Sequence, residues 1–181
     1  MIEFSDIKIV IMDVDGVLTD GIYQISERGE IIKSFYTRDF FAIEKLLRND
    51  IKVIIITQSK DNVINKKIEN LKSQSDFWYK QDCHFKFNLL TGVEDKVKEI
   101  LDITAHYDYG FDNVAYIGDA ENDVQCMKKA LFTGCPIDAI KEVKDNSNYI
   151  SDFPGGRGAV YDFCMYILKM KEEENDDNFK T

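Results

Sequence analysis

The fold of this chain follows from one stretch of its sequence, Lys8-Ile9-Val10-Ile11-Met12-Asp13-Val14-Asp15-Gly16-Val17-Leu18-Thr19-Asp20. Four of the five residues at 7–11 are branched and apolar, which predicts a buried strand. Asp13 and Asp15 are spaced by two, so in an extended chain both point the same way, and Gly16 permits a sharp turn behind them. The stretch therefore predicts a strand that carries two carboxylates to its C-terminal edge.

Two interpretations of this acid pair are open on these residues alone. Aspartates at this spacing occur often by chance, and they can simply form a polar turn that ends a strand. Alternatively the pair binds a cation, because an apolar sheet edge has no structural use for two neighbouring carboxylates. The rest of the chain has to decide between a polar turn and a cation site.

Composition limits the class of protein. The 181 residues, 44% of them hydrophobic, predict one globular domain at 1–170 and a polar, disordered tail at 171–181. With 33 acidic against 23 basic residues, the net charge of -10 argues against a nucleic-acid partner. No apolar run is long enough to span a bilayer and the first residues do not resemble a signal peptide, so we expect a cytoplasmic protein without a membrane partner.

Cysteine and histidine give little sign of chemistry. The cysteines are scattered without a CxxC pair, which predicts free thiols; they are Cys83, Cys126, Cys135 and Cys164. Cys126 and Cys164 fall in apolar helical patterns and are expected to pack in the core. His84 and His106 lie in no recognisable nucleophile motif, so a catalytic histidine is not expected.

Apolar periodicity alternates between strands and helices along the chain. Asp39 is the predicted N-cap of the first helix. Less regular residues predict short strands at 77–79 and 85–87. The remaining predictions are helices at 40–49, 61–71, 97–104, 120–130 and 159–170, and strands at 51–57, 114–119, 131–135 and 148–151. This order predicts an α/β fold, an open Rossmann-like parallel sheet with helices on both faces.

A small β-hairpin is predicted directly after the first strand. The β-like runs at 22–26 and 31–36 are separated by a glycine-containing turn. Such a hairpin could cover the acidic mouth of the sheet or pack against another subunit. An ordinary antiparallel extension of the sheet is the competing interpretation.

Polar residues recur where the predicted strands end or helices begin: Asp13, Asp15, Thr57, Lys96, Asp119 and Asp123. In open parallel sheets ligands bind outside the carboxyl ends of the strands, where these side chains should gather. Carboxylates, an ammonium and a hydroxyl at one edge suit Mg²⁺ and a phosphate, so phosphoryl transfer is the chemistry predicted. Alternatively Thr57 only ends a strand, Lys96 is a solvated helix residue and Asp123 decorates a helix N-terminus.

In order, these residues resemble the four motifs of the haloacid dehalogenase superfamily of phosphatases. The matching segments are Asp13-Val14-Asp15-Gly16-Val17-Leu18-Thr19, Thr57, Lys96 and Gly118-Asp119-Ala120-Glu121-Asn122-Asp123. Within the superfamily the chain resembles the capless 3-deoxy-D-manno-octulosonate 8-phosphate phosphatase group. The hairpin, Arg38-Asp39 and the glycine-rich turn at 155–158 support this, and the resemblance covers residues 7–170.

The resemblance implies a role for each motif residue. Asp13 would be the nucleophile that forms an aspartyl-phosphate, and Asp15 the general acid and then base. Asp13, Asp119 and the backbone carbonyl of Asp15 would bind Mg²⁺, with Asp123 supporting these ligands. Thr57 and Lys96 would hold phosphate oxygens.

The implied substrate is a phosphorylated 2-keto-3-deoxy sugar acid, either the octulosonate 8-phosphate or a nonulosonate 9-phosphate. Many relatives have Thr-Gly-Arg after the second strand, whereas this chain has Thr57-Gln58-Ser59 and lacks an arginine that could bind the sugar acid. The alternative function is a noncatalytic oligomerisation or regulatory module that accompanies a sialic acid cytidylyltransferase.

The resemblance also implies a homotetramer, in which a neighbouring subunit helps to enclose each site. Arg157, in the glycine-rich turn, is the candidate for an added cation near the substrate. A solvated turn arginine is the competing interpretation of Arg157.

Overall fold

The computed structural model of the protein describes residues 2–78 and 86–178. Its main sheet is parallel and consists of β1 (Ile9–Met12), β4 (Lys52–Ile56), β5 (Phe87–Leu90), β6 (Val114–Ile117), β7 (Phe132–Cys135) and β8 (Tyr149–Ile150). The strand order is β5-β4-β1-β6-β7-β8. Separate from it, β2 (Gln24–Ile25) and β3 (Ile31–Ile32) form an antiparallel hairpin. The predicted parallel α/β fold with a small hairpin is confirmed, and the hairpin does not extend the main sheet.

Helices cover both faces of this sheet, as predicted. They are α1 (Thr37–Arg48), α2 (Val63–Gln74), α3 (Lys96–Ala105), α4 (Val124–Met127), α5 (Lys141–Asp145) and α6 (Ala159–Asn178). Alternate β1 side chains belong to different cores: Val10 and Met12 pack with residues of α1, α2 and α6, and Ile9 and Ile11 with residues of α3, α4 and α5. A strand buried on both faces explains the continuous apolar run.

β1 lies at the point where the strand order reverses. Its last residue, Met12, is paired with Ile55 of β4 on one side and Ile117 of β6 on the other. Residues that directly follow these three strands therefore share one sheet edge. In open α/β sheets this is the place where ligands bind.

The structure corrects three predicted elements. The helix predicted at 120–130 is a 3₁₀ turn, Glu121–Asp123, followed by the four-residue α4, because Asp123 binds backbone N–H groups of the preceding turn. At 77–79, Phe77 and Trp78 are helical rather than extended, and the Trp78 ring packs against Phe87 at 5.5 Å. The strand predicted at 85–87 runs instead as β5 from Phe87; Tyr79 and Phe85 lie outside the described residues.

Asp39 is not the N-cap of α1, which begins two residues earlier at Thr37. Its carboxylate is fully buried and accepts the backbone N–H of Tyr161 at 2.8 Å, in the first turn of α6. Burial raises the pKa of Asp39 to about 7, although hydrogen bonds from the backbone of Tyr161 and Gly158 oppose the shift. Asp39 therefore joins α1 to the start of α6.

The prediction of a disordered tail from residue 171 is wrong as far as Asn178, because α6 continues to that residue. Glu174 accepts the backbone N–H groups of Phe4 and Ser5 at 2.7 and 2.8 Å, and Lys171 donates to the Phe4 carbonyl at 2.8 Å. These contacts hold the polar end of the helix against the N-terminal 3₁₀ turn. Residues 179–181 lie outside the described part of the chain.

Three cysteines, Cys126, Cys135 and Cys164, are buried as free thiols, and the predicted packing roles of Cys126 and Cys164 are confirmed. Cys83 and His84 lie outside the described residues. Across residues 2–78 and 86–178, none of the helices is both long and apolar enough to cross a bilayer.

Candidate active site

Asp13 and Lys96 form a buried ion pair at the sheet edge. Asp13 follows β1 directly, and Lys96 is the first residue of α3 and only 3% exposed. The Lys96 Nζ lies 2.5 Å from Asp13 Oδ1 and 2.7 Å from Asp123 Oδ1. The interpretation of Lys96 as a solvated helix residue is therefore wrong.

Asp123 holds the neighbouring loop in place. Its Oδ2 accepts the backbone N–H groups of Asp119 and Ala120 at 3.0 and 3.2 Å, and its Oδ1 accepts the Tyr116 hydroxyl at 2.7 Å as well as Lys96. Asp123 is fully buried, so it does more than decorate a helix N-terminus. Both of its oxygens are engaged by donors, which suits the predicted supporting role.

Tyr116 is a site residue that the sequence reasoning missed. It lies in β6 and is fully buried, which is why its pattern indicated only a core residue. Burial, with Asp123 beside it, raises the pKa of Tyr116 well above its ordinary value, so the hydroxyl stays a hydrogen-bond donor. The available signal was a polar aromatic group two residues before Gly118-Asp119 in an otherwise aliphatic strand.

The acids at this edge carry more negative charge than Lys96 offsets. Burial raises the pKa of Asp13 to about 8, with Lys96 opposing the shift and Asp123 and Asp119 adding to it. Burial, followed by Asp123, raises the pKa of Asp119 to about 7. Burial alone would lower the pKa of Lys96, but Asp13 and Asp123 raise it above its ordinary value. A further cation would favour the ionised form of these acids.

The donor set fits a hard divalent cation. One carboxylate oxygen from each of Asp13, Asp119 and Asp123 lies within 4.8 Å of the others. Asp119 Oδ1 is buried and has no hydrogen-bond partner among the described residues, which leaves a lone acceptor facing this cluster of acids. Oxygen ligands of this kind suit Mg²⁺.

Gly16 allows the two acidic loops to meet. Its φ is +89°, and a Cβ at this position would lie 2.1 Å from Asp119 Oδ2. A side chain at residue 16 would therefore push Asp119 away from Asp13.

Thr57 lies at the same edge and is buried, directly after β4. Its hydroxyl accepts the backbone N–H of Ser59 at 3.0 Å, which shapes the turn after the strand. The strand-ending and phosphate-binding interpretations of Thr57 are therefore compatible.

The Asp15 carboxylate contacts the hairpin rather than the buried ion pair. Its side chain is 35% exposed, and Lys33 Nζ lies 2.7 Å from its Oδ1. Beside it is a cavity of about 370 Å³, lined partly by the hairpin residues Tyr23, Ile25 and Ile31. Lys33 was also missed by the sequence reasoning; the signal was a single cation inside an apolar run at 31–35.

Arg157 is not brought into contact with the acids. Its side chain is 68% exposed and its guanidinium lies 3.8 Å from Asp20 Oδ2. The turn itself does reach the site loop, because a Cβ on Gly155 would lie 1.9 Å from the Gly16 carbonyl oxygen. Arg157 therefore stands at the rim, near the loop that carries Asp13 and Asp15.

A parallel sheet with these acids at its carboxyl edge defines a class of enzyme, and the comparison with protein families names it. The haloacid dehalogenase-like hydrolase family matches residues 3–163. The chain belongs to this family.

Particular relatives are more specific. The chain is 30% identical, over 93% of its own length and 82% of the relative, to the 3-deoxy-D-manno-octulosonate 8-phosphate phosphatase KdsC of Escherichia coli strain B / BL21-DE3. The crystal structure of the same phosphatase from Yersinia pestis matches with a TM-score of 0.82 and 29% identity, covering 93% of this chain and 84% of that one. The phosphatase from Moraxella catarrhalis, in complex with magnesium, phosphate and KDO, has a TM-score of 0.81 and 27% identity, covering 97% and 92%.

Proposed function

We propose that this phosphatase, a phosphoric monoester hydrolase, is magnesium-dependent and acts on 3-deoxy-D-manno-octulosonate 8-phosphate. The observation that carries the proposal is the buried group of Asp13, Lys96, Asp119 and Asp123 at the sheet edge of a chain that resembles the KdsC phosphatases over 93% of its length. A bound magnesium and a bound sugar acid in the Moraxella catarrhalis relative support both the cofactor and the substrate class.

In the proposed mechanism Asp13 attacks the phosphorus and the phosphoryl group passes from the sugar oxygen to Asp13, giving an aspartyl-phosphate. Asp15 donates a proton to the leaving sugar oxygen, then accepts one from the water that hydrolyses the intermediate. Lys96 and Thr57 bind phosphate oxygens, and Asp123 keeps Lys96 and the Asp119 loop in place. Mg²⁺, held by Asp13, Asp119 and the Asp15 carbonyl, would offset charge on the transferring phosphoryl group.

A nonulosonate 9-phosphate is the second candidate substrate. Ser59 stands where many relatives have arginine, and its hydroxyl donates to Asp61 at 2.5 Å instead of offering a positive charge. If a cation of this protein binds the carboxylate of the substrate, it is not an arginine at position 59 as in such relatives. Both sugar acids are therefore tested as substrates.

The test is phosphate release from a panel of sugar phosphates, with Mg²⁺ and with excess chelator. We expect Mg²⁺-dependent release, fastest with octulosonate 8-phosphate, and negligible release from neutral sugar phosphates. Faster release from a nonulosonate 9-phosphate would replace octulosonate 8-phosphate as the proposed substrate. No release from any ester would favour the noncatalytic module beside a cytidylyltransferase, an alternative that leaves the buried acids without a use.

We also propose that the protein is a homotetramer joined through its hairpins. Apolar hairpin residues are exposed in the single chain, among them Ile22 at 69% and Ile25 at 64%. An exposed group of apolar residues on a short antiparallel ribbon is suited to association with a second copy. The neighbouring subunit would then help to exclude water from the cavity beside Asp15.

A further inference from the structure

The hairpin at 21–36 reverses the usual distribution of side chains. Its isoleucines, Ile22, Ile25, Ile31 and Ile32, are exposed. The side chain of Lys33, by contrast, is only 5% exposed. A lysine is seldom buried unless it is paired, so its contacts require an explanation.

Lys33 joins two segments that are far from it in sequence. Its Nζ lies 2.7 Å from Oδ1 and 2.9 Å from Oδ2 of Asp15, and it donates to Asp61 Oδ2 at 2.5 Å. Asp61 in turn accepts the Ser59 hydroxyl at 2.5 Å and the Val63 N–H at 2.9 Å, at the start of α2. One ammonium therefore connects the hairpin, the acidic loop after β1 and the turn after β4.

Little else restrains the Asp15 carboxylate. Apart from Lys33, its one hydrogen bond within the described residues comes from the Thr19 hydroxyl, at 3.3 Å. Lys33 reaches both carboxylate oxygens at shorter distances. The orientation of Asp15 therefore depends on the hairpin, which has only two-residue strands of its own.

We propose that Lys33 is a positioning residue that holds the carboxylate of Asp15 in its working orientation and couples this orientation to the seating of the hairpin. The inference rests on the proposed role of Asp15 in proton transfer. Proton transfer requires a heavy-atom distance of about 2.6–3.2 Å, and a misplacement of about 1 Å can lower a rate roughly 10²-fold. Exposed ion pairs contribute little to stability. The Lys33 side chain is shielded from solvent, and its two acidic partners, Asp15 and Asp61, hold it in place.

The test compares two phosphate esters in Lys33→Met. A sugar phosphate has an alkoxide leaving group that needs a proton, whereas 4-nitrophenyl phosphate releases a phenolate that is stable without one. We expect kcat/KM, which reports the steps up to departure of the leaving group and not hydrolysis of the shared intermediate, to fall by about 10- to 100-fold on the sugar phosphate and by less than about threefold on the nitrophenyl ester. Arg28→Met, which removes an exposed cation from the same hairpin, should change neither rate.

Further variants separate positioning from loss of structure. In an Asp15→Asn background, Lys33→Met should add less than about twofold, since Lys33 acts through Asp15. Lys33→Arg should recover part of the rate. If Lys33→Met does not fold, judged by its thermal unfolding transition, Asp61→Asn provides the same comparison from the other partner of Lys33 and should lower the sugar phosphate rate severalfold.

Equal losses of kcat/KM on both esters, or a full additional loss in the Asp15→Asn background, would overturn the proposal. So would an unchanged rate on the sugar phosphate. The proposed substrate can fail separately: a wild-type enzyme that cleaves another alkyl phosphate but no sugar-acid phosphate refutes the substrate, and Lys33 is then tested on the ester that is cleaved.

Discussion

The carboxyl edge of the sheet and the hairpin beside it are built in opposite ways. At the edge, Asp13, Lys96 and Asp123 are buried and held by contacts of 2.5–2.7 Å between elements of the main fold. The hairpin has two strands of two residues each and exposes its apolar side chains. The proposed reacting groups therefore belong to the core of the fold, whereas the segment beside them has little regular structure of its own.

Physical chemistry explains why the two regions differ. Buried charges are unfavourable unless they are paired, and at the edge Asp13 and Asp123 share Lys96 while Asp119 Oδ1 has no donor among the described residues. An isolated two-stranded hairpin is marginal in water. Its position therefore needs outside contacts, which include those of Lys33 with Asp15 and Asp61 and that of the Phe35 ring with Phe40 at 5.7 Å.

The largest expected effect comes from Asp13→Asn, which strikes the edge directly. The substitution removes the proposed nucleophile and one proposed metal ligand but keeps the side-chain shape, so kcat should fall by about 10⁴-fold or more while the fold persists. Phosphate release and a thermal unfolding scan measure both results. Turnover near the wild-type rate in the purified variant would refute the role of Asp13.

Asp15→Asn is expected to have the next largest effect, and it acts where the two regions meet. Loss of the proposed proton transfer should lower kcat by about 10²- to 10⁴-fold, while the proposed metal ligands Asp13 and Asp119 remain. Calorimetric titration with Mg²⁺ should give an affinity close to that of the wild type. A variant that loses Mg²⁺ binding together with activity would instead show that Asp15 acts mainly on the metal site.

The two regions also differ in how much the sequence predicted. Asp13 and Asp119 could be identified from the sequence because each follows an apolar run, and a carboxylate in that position has few structural uses. Tyr116 and Lys33 were not predicted, because their partners Asp123 and Asp15 lie 7 and 18 residues away in the sequence and no local pattern encodes these contacts. Asp39 was misassigned for the same reason: an aspartate near a helix start suggests a local cap, but it binds the backbone of Tyr161, 122 residues later.

The predicted bounds of two helices were wrong where a side-chain contact, rather than the apolar periodicity, decides the backbone structure. The segment predicted as a helix at 120–130 forms a 3₁₀ turn and the four-residue α4. The reason is that the Asp123 carboxylate accepts the backbone N–H groups of Asp119 and Ala120. The polar end of α6 was predicted to be disordered, yet the Glu174 carboxylate accepts the backbone N–H groups of Phe4 and Ser5. In both places the prediction used the general preferences of polar residues. A hydrogen bond to a specific partner decided the observed structure instead.

A hairpin variant tests whether the exposed region acts through association. Ile25→Glu places a charge on a side chain that is 64% exposed in the single chain, so the monomer should fold normally. If the proposed tetramer forms, we expect light scattering to show its loss in the variant, and kcat to fall by no more than about tenfold as water enters the site. Leu101→Glu, on an exposed position of α3 away from the hairpin, is the matched control. A wild-type protein that is a fully active monomer would refute shared enclosure.

The smallest expected effect belongs to Arg157→Ala, which tests whether the rim contributes to binding at all. The Arg157 side chain is largely exposed, and its guanidinium lies 3.8 Å from Asp20 Oδ2, so its removal should not disturb the buried edge. If its charge meets the carboxylate of the substrate, KM should rise by about three- to tenfold with kcat unchanged, the pattern of lost ground-state binding. Asp20→Asn sharpens the test, because it frees Arg157 and should lower KM or leave it unchanged. If neither variant alters KM, Arg157 is a solvated turn residue, and a cation for the proposed sugar acid is to be sought on the hairpin side or in a proposed neighbouring subunit.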